Sequence, residues 1–201
     1  MSDCGCEIEI KDQEQRGVLY WLLAINLLMF FFEIGIGWLA ESTALIADAL
    51  DMLADAMVYG ISLYAVGRSA HHKTRSALAN GYFQSVLGLV VLADIIRRII
   101  LGSEPESILM IGMGFIALIA NVICFVIIQK HKEGEVHMRA SWICSRNDVI
   151  ANFGVVVGGV LVWMLGVRWP DIVIGFLISV VILRGAWLII KDAKSSLPNA
   201  R

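Results

Sequence analysis

Six stretches of this chain each come close to the ~20 consecutive apolar residues needed to cross a bilayer, and this feature limits the fold more than any other. They run from about Val18 to Ala40, Thr43 to Gly67, Leu78 to Leu101, Ile108 to Gln129, Arg139 to Leu165 and Asp171 to Ile190. In hydrocarbon every backbone N–H and C=O must be satisfied within the protein, so segments of this kind form helices. The expected fold is therefore all-α, a bundle of six transmembrane helices. Composition agrees: 58% of the 201 residues are hydrophobic and 17% charged, against about half and about a quarter in soluble domains. The opening MSDCGCEIEIKDQEQR is polar and mixed in charge, with no apolar core of a signal peptide. The expected organisation is a cytosolic tail over 1–17, a membrane domain over 18–191 and a short cytosolic tail over 192–201.

Lys and Arg in the connections set the orientation. With the N-terminus inside, the inner segments hold Lys11, Arg16, Arg68, Lys73, Arg75, Lys130, Lys132, Arg139, Lys191, Lys194 and Arg201, eleven in all. The outer side holds three, Arg97, Arg98 and Arg168, while Arg146 and Arg184 fall within spans. Both termini are expected in the cytosol, and the compact chain fits a bacterial inner membrane. The net charge of -2 and the lack of a basic run give no reason to expect nucleic acid. Four cysteines, two in a cytosolic tail and two in apolar segments, do not make a disulfide framework.

The second span breaks the apolar rule. It reads ALIADALDMLADAM and carries Asp48, Asp51 and Asp55. Each charged carboxylate at mid-bilayer costs at least about 2.5 kcal/mol on insertion scales. Spacings of three and four residues put all three acids on one helix face. The fifth span reads WICSRNDVIAN, with Cys144 and Asp148 four apart and again on one face. Two four-apart pairs on two helices can close a tetrahedral metal site. Counted from the span ends, Asp51 lies about 12 Å below the outer face and Asp148 about 13 Å above the inner one, at ~1.5 Å per residue. Asp55 and Asp148 then come to nearly the same level. The bland reading is that these acids pair with Arg146 and Arg184 as scaffolding. Cys144, by residue type alone, is equally a small apolar packing group.

On the residues STALIADALDMLADA in the second span and Cys144-x-x-x-Asp148 in the fifth, the sequence resembles the cation diffusion facilitator family. The first span, INLLMFFFEIGIGWLAEST with Glu33, resembles that family's first helix. The resemblance implies six transmembrane helices and a four-ligand metal site of Asp51, Asp55, Cys144 and Asp148, with cysteine standing where the family usually has histidine or aspartate. Two departures are visible. Most members carry a cytosolic, metal-binding and dimerising domain after the sixth helix. This chain stops at Arg201, so that domain is expected to be absent. The start of the third helix reads ALANGYFQ rather than the family's glycine- and glutamate-containing pattern. His71 and His72 are then a remnant of a secondary site or simply solvated residues of a basic loop.

Three carboxylates and one thiolate suit Zn²⁺, with Cd²⁺ fitting by the same softness argument. Burial and like charge both disfavour ionised carboxyls, and metal binding requires ionised ligands and expels their protons. The expected function is efflux of a divalent cation in exchange for protons by a secondary active transporter, not an enzyme. Zn²⁺ is the cargo, and no cofactor is expected. Asp48 lies a turn outward of Asp51, on the exit path or in helix packing. Glu33 and Asn26, seven apart on the first span, hydrate the cavity or orient a ligand. Cys4 and Cys6 in the tail are too few for a closed zinc site and suit an accessory role. Gly154-x-x-x-Gly158 and the seam of Gly81, Ser85 and Gly88 are small-residue packing signals. They fit internal helix contact or a homodimer built through the membrane helices. The alternative is a non-transporting membrane scaffold whose intramembrane acids form structural ion pairs.

Overall fold

The computed structural model describes the backbone of residues 4–65, 70–130 and 136–196, and the side chains within 16–61, 63–64, 78–130, 145–191 and 193–194. It contains six helices: α1 (Cys4–Leu39), α2 (Thr43–Ala65), α3 (Ala70–Leu101), α4 (Ser107–Gln129), α5 (Val136–Leu165) and α6 (Trp169–Ser196). No strand occurs among the described residues. Several helices run past their apolar stretch. α1 is helical from Cys4, and α6 continues to Ser196. Lipid sets the apolar length, whereas nothing in it stops the hydrogen-bond ladder at the interface.

Four helices are long and apolar enough to cross a membrane by length and composition: Arg16–Leu39, Ser107–Gln129, Ser145–Leu165 and Trp169–Lys191. α2 has 23 residues, also a spanning length, but bears Asp48, Asp51 and Asp55. α3 mixes its apolar residues with Asn80, Gln84, Asp94, Arg97 and Arg98. The protein is thus a multi-pass membrane bundle whose two most polar helices lean on four apolar ones.

α4 shows how sequence spacing makes the bundle. Its buried residues are Met110, Met113, Gly114, Ala117, Asn121, Cys124 and Ile128, a stripe at helical spacing. Phe115, Ile116, Ile119, Val122, Ile123 and Val126 on the other side are exposed. A helix apolar all round, with its larger side chains outward, is built for lipid.

α1 packs most extensively on α2, α3 on α6, and α4 on α5, while α2 touches all five other helices. The pairs are held close by small residues. A Cβ at Gly88 would lie 2.6 Å from Leu183 of α6, and one at Gly81 would lie 2.6 Å from Ile190. Ser85 completes this seam by donating to Gly81 O at 2.9 Å. A Cβ at Gly158 would lie 3.1 Å from Ile174 of α6. Both small-residue signals therefore serve contacts inside the bundle.

The α1–α2 turn is fixed from two other helices. Ser42 caps α2 by accepting from Leu45 N at 3.1 Å. Asp171 of α6 accepts from Ser42 Oγ at 2.6 Å, Thr43 N at 2.8 Å and Ala44 N at 2.9 Å. Arg98 of α3 donates to Glu41 O and, at 2.6 Å, to Asp94. Glu41 has φ 47°, a left-handed conformation that a non-glycine residue holds only when its surroundings impose it.

Candidate metal centre

The middle of α2 presents its acids to α1 and α5. Asp48 and Asp55 are buried, and Asp51 is half-buried. The carboxyls of Asp55 and Asp148 lie close together across the α2–α5 interface, and Asp51 lies near enough to both for like charges to interact. The level match expected from residue counting is thus realised. Tyr59, one turn beyond Asp55 and fully buried, donates to Asp55 Oδ2 at 3.3 Å, and its Oη lies 3.4 Å from Ser145 Oγ.

A second group lies toward the α1–α2 turn. Glu33 of α1 and Asp48 contact each other carboxyl to carboxyl. Asn152 of α5 donates to Asp48 Oδ1 at 3.2 Å and to Asp148 O at 2.9 Å. A stride of four accounts for the members of these groups other than Glu33, Asp48 and Ser145. Asp51, Asp55 and Tyr59 repeat every four residues on α2, and Cys144, Asp148 and Asn152 do so on α5.

Asn26 takes a different direction from Glu33. It is buried, donating to Leu22 O at 2.9 Å and contacting Cys124 Sγ of α4 at 3.8 Å. Cys124 is buried and close enough to Asp55 to feel its charge. Cys144 lies on the helical backbone of α5, and Cys4, Cys6, His71 and His72 on that of α1 and α3. The side chains of these five lie outside the described residues.

Ion pairs among the described residues join Arg97 and Arg98 to Asp94, and none reaches Asp48, Asp51, Asp55 or Asp148. Arg146 and Arg184, the cations of the scaffold reading, sit on exposed faces. Among the described residues no three His, Cys, Asp or Glu side chains converge tightly enough to hold a metal. The described carboxylates therefore make pairs, Asp55 with Asp148 and Glu33 with Asp48, rather than a closed shell.

Tyr59, Ser145 and Asn152 were not singled out in the sequence. Two of them had a signal there, since each continues a four-residue acid stride by one more turn. Ser145 had none beyond its place beside Cys144.

Comparison with known proteins gives the family. The cation efflux transmembrane domain model matches residues 19–197. The zinc transporter ZitB of Yersinia pestis is 26% identical over 196 residues, covering 91% of this chain and 62% of the relative. The metal cation efflux system protein CzcD of Cupriavidus metallidurans is 24% identical over 183 residues, covering 85% and 58%. A cadmium, cobalt and zinc/H(+)-K(+) antiporter of Bacillus velezensis is 23% identical over 171 residues, covering 78% and 55%. The chain thus spans somewhat under two thirds of the length of these relatives. With acids facing acids in the core of an apolar six-helix bundle and a family match along nearly its whole length, the chain belongs to the cation diffusion facilitator family.

Proposed function

We propose that this protein exports a divalent transition-metal ion, Zn²⁺ foremost, from the cytoplasm across a bacterial inner membrane in exchange for protons. The observation that carries the reading is the meeting of Asp55 and Asp148 across the α2–α5 interface. Two carboxyls in an apolar bundle, with no ion pair to either among the described residues, make a place for a proton or a cation. Asp51, Asp55, Asp148 and Cys144 are the proposed ligands. Three oxygens and one sulfur suit Zn²⁺ and leave room for Cd²⁺.

Exchange follows from competition. The same carboxyl oxygens cannot hold a proton and a metal ion at once, so metal entry releases protons. Where the site opens to a more acidic side, protons displace the metal. One pH unit changes the balance by ~1.4 kcal/mol for each proton exchanged. Tyr59 donates to Asp55 and so aims one carboxylate oxygen while leaving the other free for the ion. The names of the relatives agree in direction, since they describe zinc transport and cation efflux.

The test is flux in proteoliposomes loaded with a pH-sensitive dye. Added Zn²⁺ is expected to drive protons the other way, and Asp51→Ala is expected to abolish both movements. Zinc flux without proton movement would identify a channel or uniporter. A wild-type protein inert to Zn²⁺, Cd²⁺, Co²⁺ and Mn²⁺ would favour the scaffold reading.

A further inference from the structure

Among the described residues several acceptor oxygens are buried without a donor, and four of them belong to three neighbouring side chains. Glu33 is 0% exposed, Asp48 2% and Asn152 0%. Both carboxylate oxygens of Glu33, Oδ2 of Asp48 and Oδ1 of Asn152 are buried without a hydrogen-bond donor. The nearest carboxyl to Glu33 is that of Asp48, itself an acceptor. Acceptors facing acceptors can be joined only by a hydrogen or a cation. Water could donate to some of these oxygens, but it would leave two carboxylates unneutralised in the membrane, which is costly.

This group is centred away from Asp55 and Asp148, with Asp51 between the two. Asp48 and Asp55 are seven residues apart on α2, about 10 Å along the axis, and Asn152 is one turn, about 5 to 6 Å, from Asp148 on α5. A divalent ion bonds oxygen at about 2.0 to 2.6 Å, so one ion cannot serve Asp55 and Asp48 together. Beyond Asp48, at the α1–α2 turn, a cavity of about 310 Å³ is lined by Trp38, Glu41, Ile46, Asp94, Arg97 and Arg98. Along α2, Asp48 lies between Asp51 and Ile46, which lines that cavity.

We propose that Glu33, Asp48 and Asn152 form a second cation station, all oxygen, which a divalent ion occupies between the central site and the cavity at the α1–α2 turn. Two carboxylates balance the charge of one divalent ion, and the amide oxygen of Asn152 supplies a third ligand. An all-oxygen set favours harder ions than a set with a thiolate. It would therefore hold a soft ion more loosely than the central site, as an exit station must. The role as an exit rests on the transport reading. The existence of the station does not.

Mn²⁺ is the probe, because it prefers oxygen and is read directly by electron paramagnetic resonance. Binding to the full chain in nanodiscs would be compared for wild type, Glu33→Gln, Asp55→Asn and the double variant. Each single variant is expected to lose one Mn²⁺ per chain, and the double variant two. Glu33→Gln binding as much Mn²⁺ as wild type, with the same affinity, would overturn the station. So would the two single variants losing the same ion, with no further loss in the double. Asn152→Asp keeps the side-chain shape, exchanges the Nδ2 donor to Asp48 and Asp148 O for a carboxylate oxygen, and adds a charge. Since affinity follows ligand charge, it should tighten the station by about tenfold, and an unchanged affinity counts against it even if Glu33→Gln fails to fold. If Asp55→Asn keeps full Mn²⁺ binding and zinc flux, the place of Asp55 in the central site fails; if wild type moves no metal, the transport reading fails while the Glu33 result still stands.

Discussion

Asp171 and Asp55 are the same residue type, both buried in the same bundle, and both bear on α2. Their surroundings are opposite. Asp171 meets α2 at its N-terminus, where the backbone N–H groups of Thr43 and Ala44 and the hydroxyl of Ser42 all donate to it. A carboxylate there completes orphan donors and sits at the favourable end of the helix dipole. Asp55 sits in the helix middle, where backbone donors are already used. It finds Tyr59 and another carboxyl, Asp148. The first acid is satisfied by the fold. The second leaves a need that only a proton or a cation can meet. A buried acid is thus not by itself a sign of function, and the donors around it decide which kind it is.

The sharpest way to break this contrast is to neutralise the second acid. Asp55→Asn is expected to lower zinc transport by roughly 100-fold or more, since even groups that only support a ligand are worth 10- to 100-fold. Its thermal unfolding in detergent should stay at or above that of wild type, because like charges in the core have been reduced. A collapse of stability would place Asp55 with Asp171 as scaffold. Next in size is Asp171→Ala. It removes the acceptor of three donors, with charged hydrogen bonds worth about 1.5 to 3 kcal/mol each when broken in a buried place, and should lower the unfolding temperature and yield. The fraction that folds should still exchange zinc for protons. Loss of transport at unchanged stability would contradict its assignment to the turn.

Two smaller substitutions sharpen the comparison. Tyr59→Phe removes one donor to Asp55, worth about 1 kcal/mol. It should raise the zinc concentration for half-maximal transport by about fivefold, as 1.4 kcal/mol is a factor of ten. An unchanged value would mean that Tyr59 serves packing alone. Ser42→Ala removes the cap of α2 and should cost about 1 kcal/mol of stability, read as a modest fall in unfolding temperature with zinc transport kept.

The bundle itself was legible because lipid imposes a single rule: six helices formed on the six apolar blocks, and four of them are long and apolar enough to cross by composition alone. The pairing of α2 with α5 was also legible, from acids too costly to be accidental and from the depth count that put Asp55 beside Asp148. The clasp of Asp171 was not. Its partners, Ser42 to Ala44, lie well over a hundred residues away, and an aspartate at the start of a helix reads as belonging to its own helix. Asn26 and Glu33, seven apart, share a helix face by counting, yet Asn26 turns to Cys124 of α4 and Glu33 to Asp48 of α2. Neighbouring helices divide a face in a way that periodicity cannot register. The polar partners Tyr59 and Asn152 lay one stride beyond the acids, where the pattern of four continues but the charge does not.

The central claim is that the acids of α2 and α5 trade protons for metal. It is tested most directly by titrating the purified protein with Zn²⁺ in lightly buffered solution at constant pH and counting the protons released. The account predicts that protons leave as zinc binds, and that Asp55→Asn loses both the binding and the release. Zinc that binds with no proton release, or that binds and releases protons equally in Asp55→Asn, would contradict it.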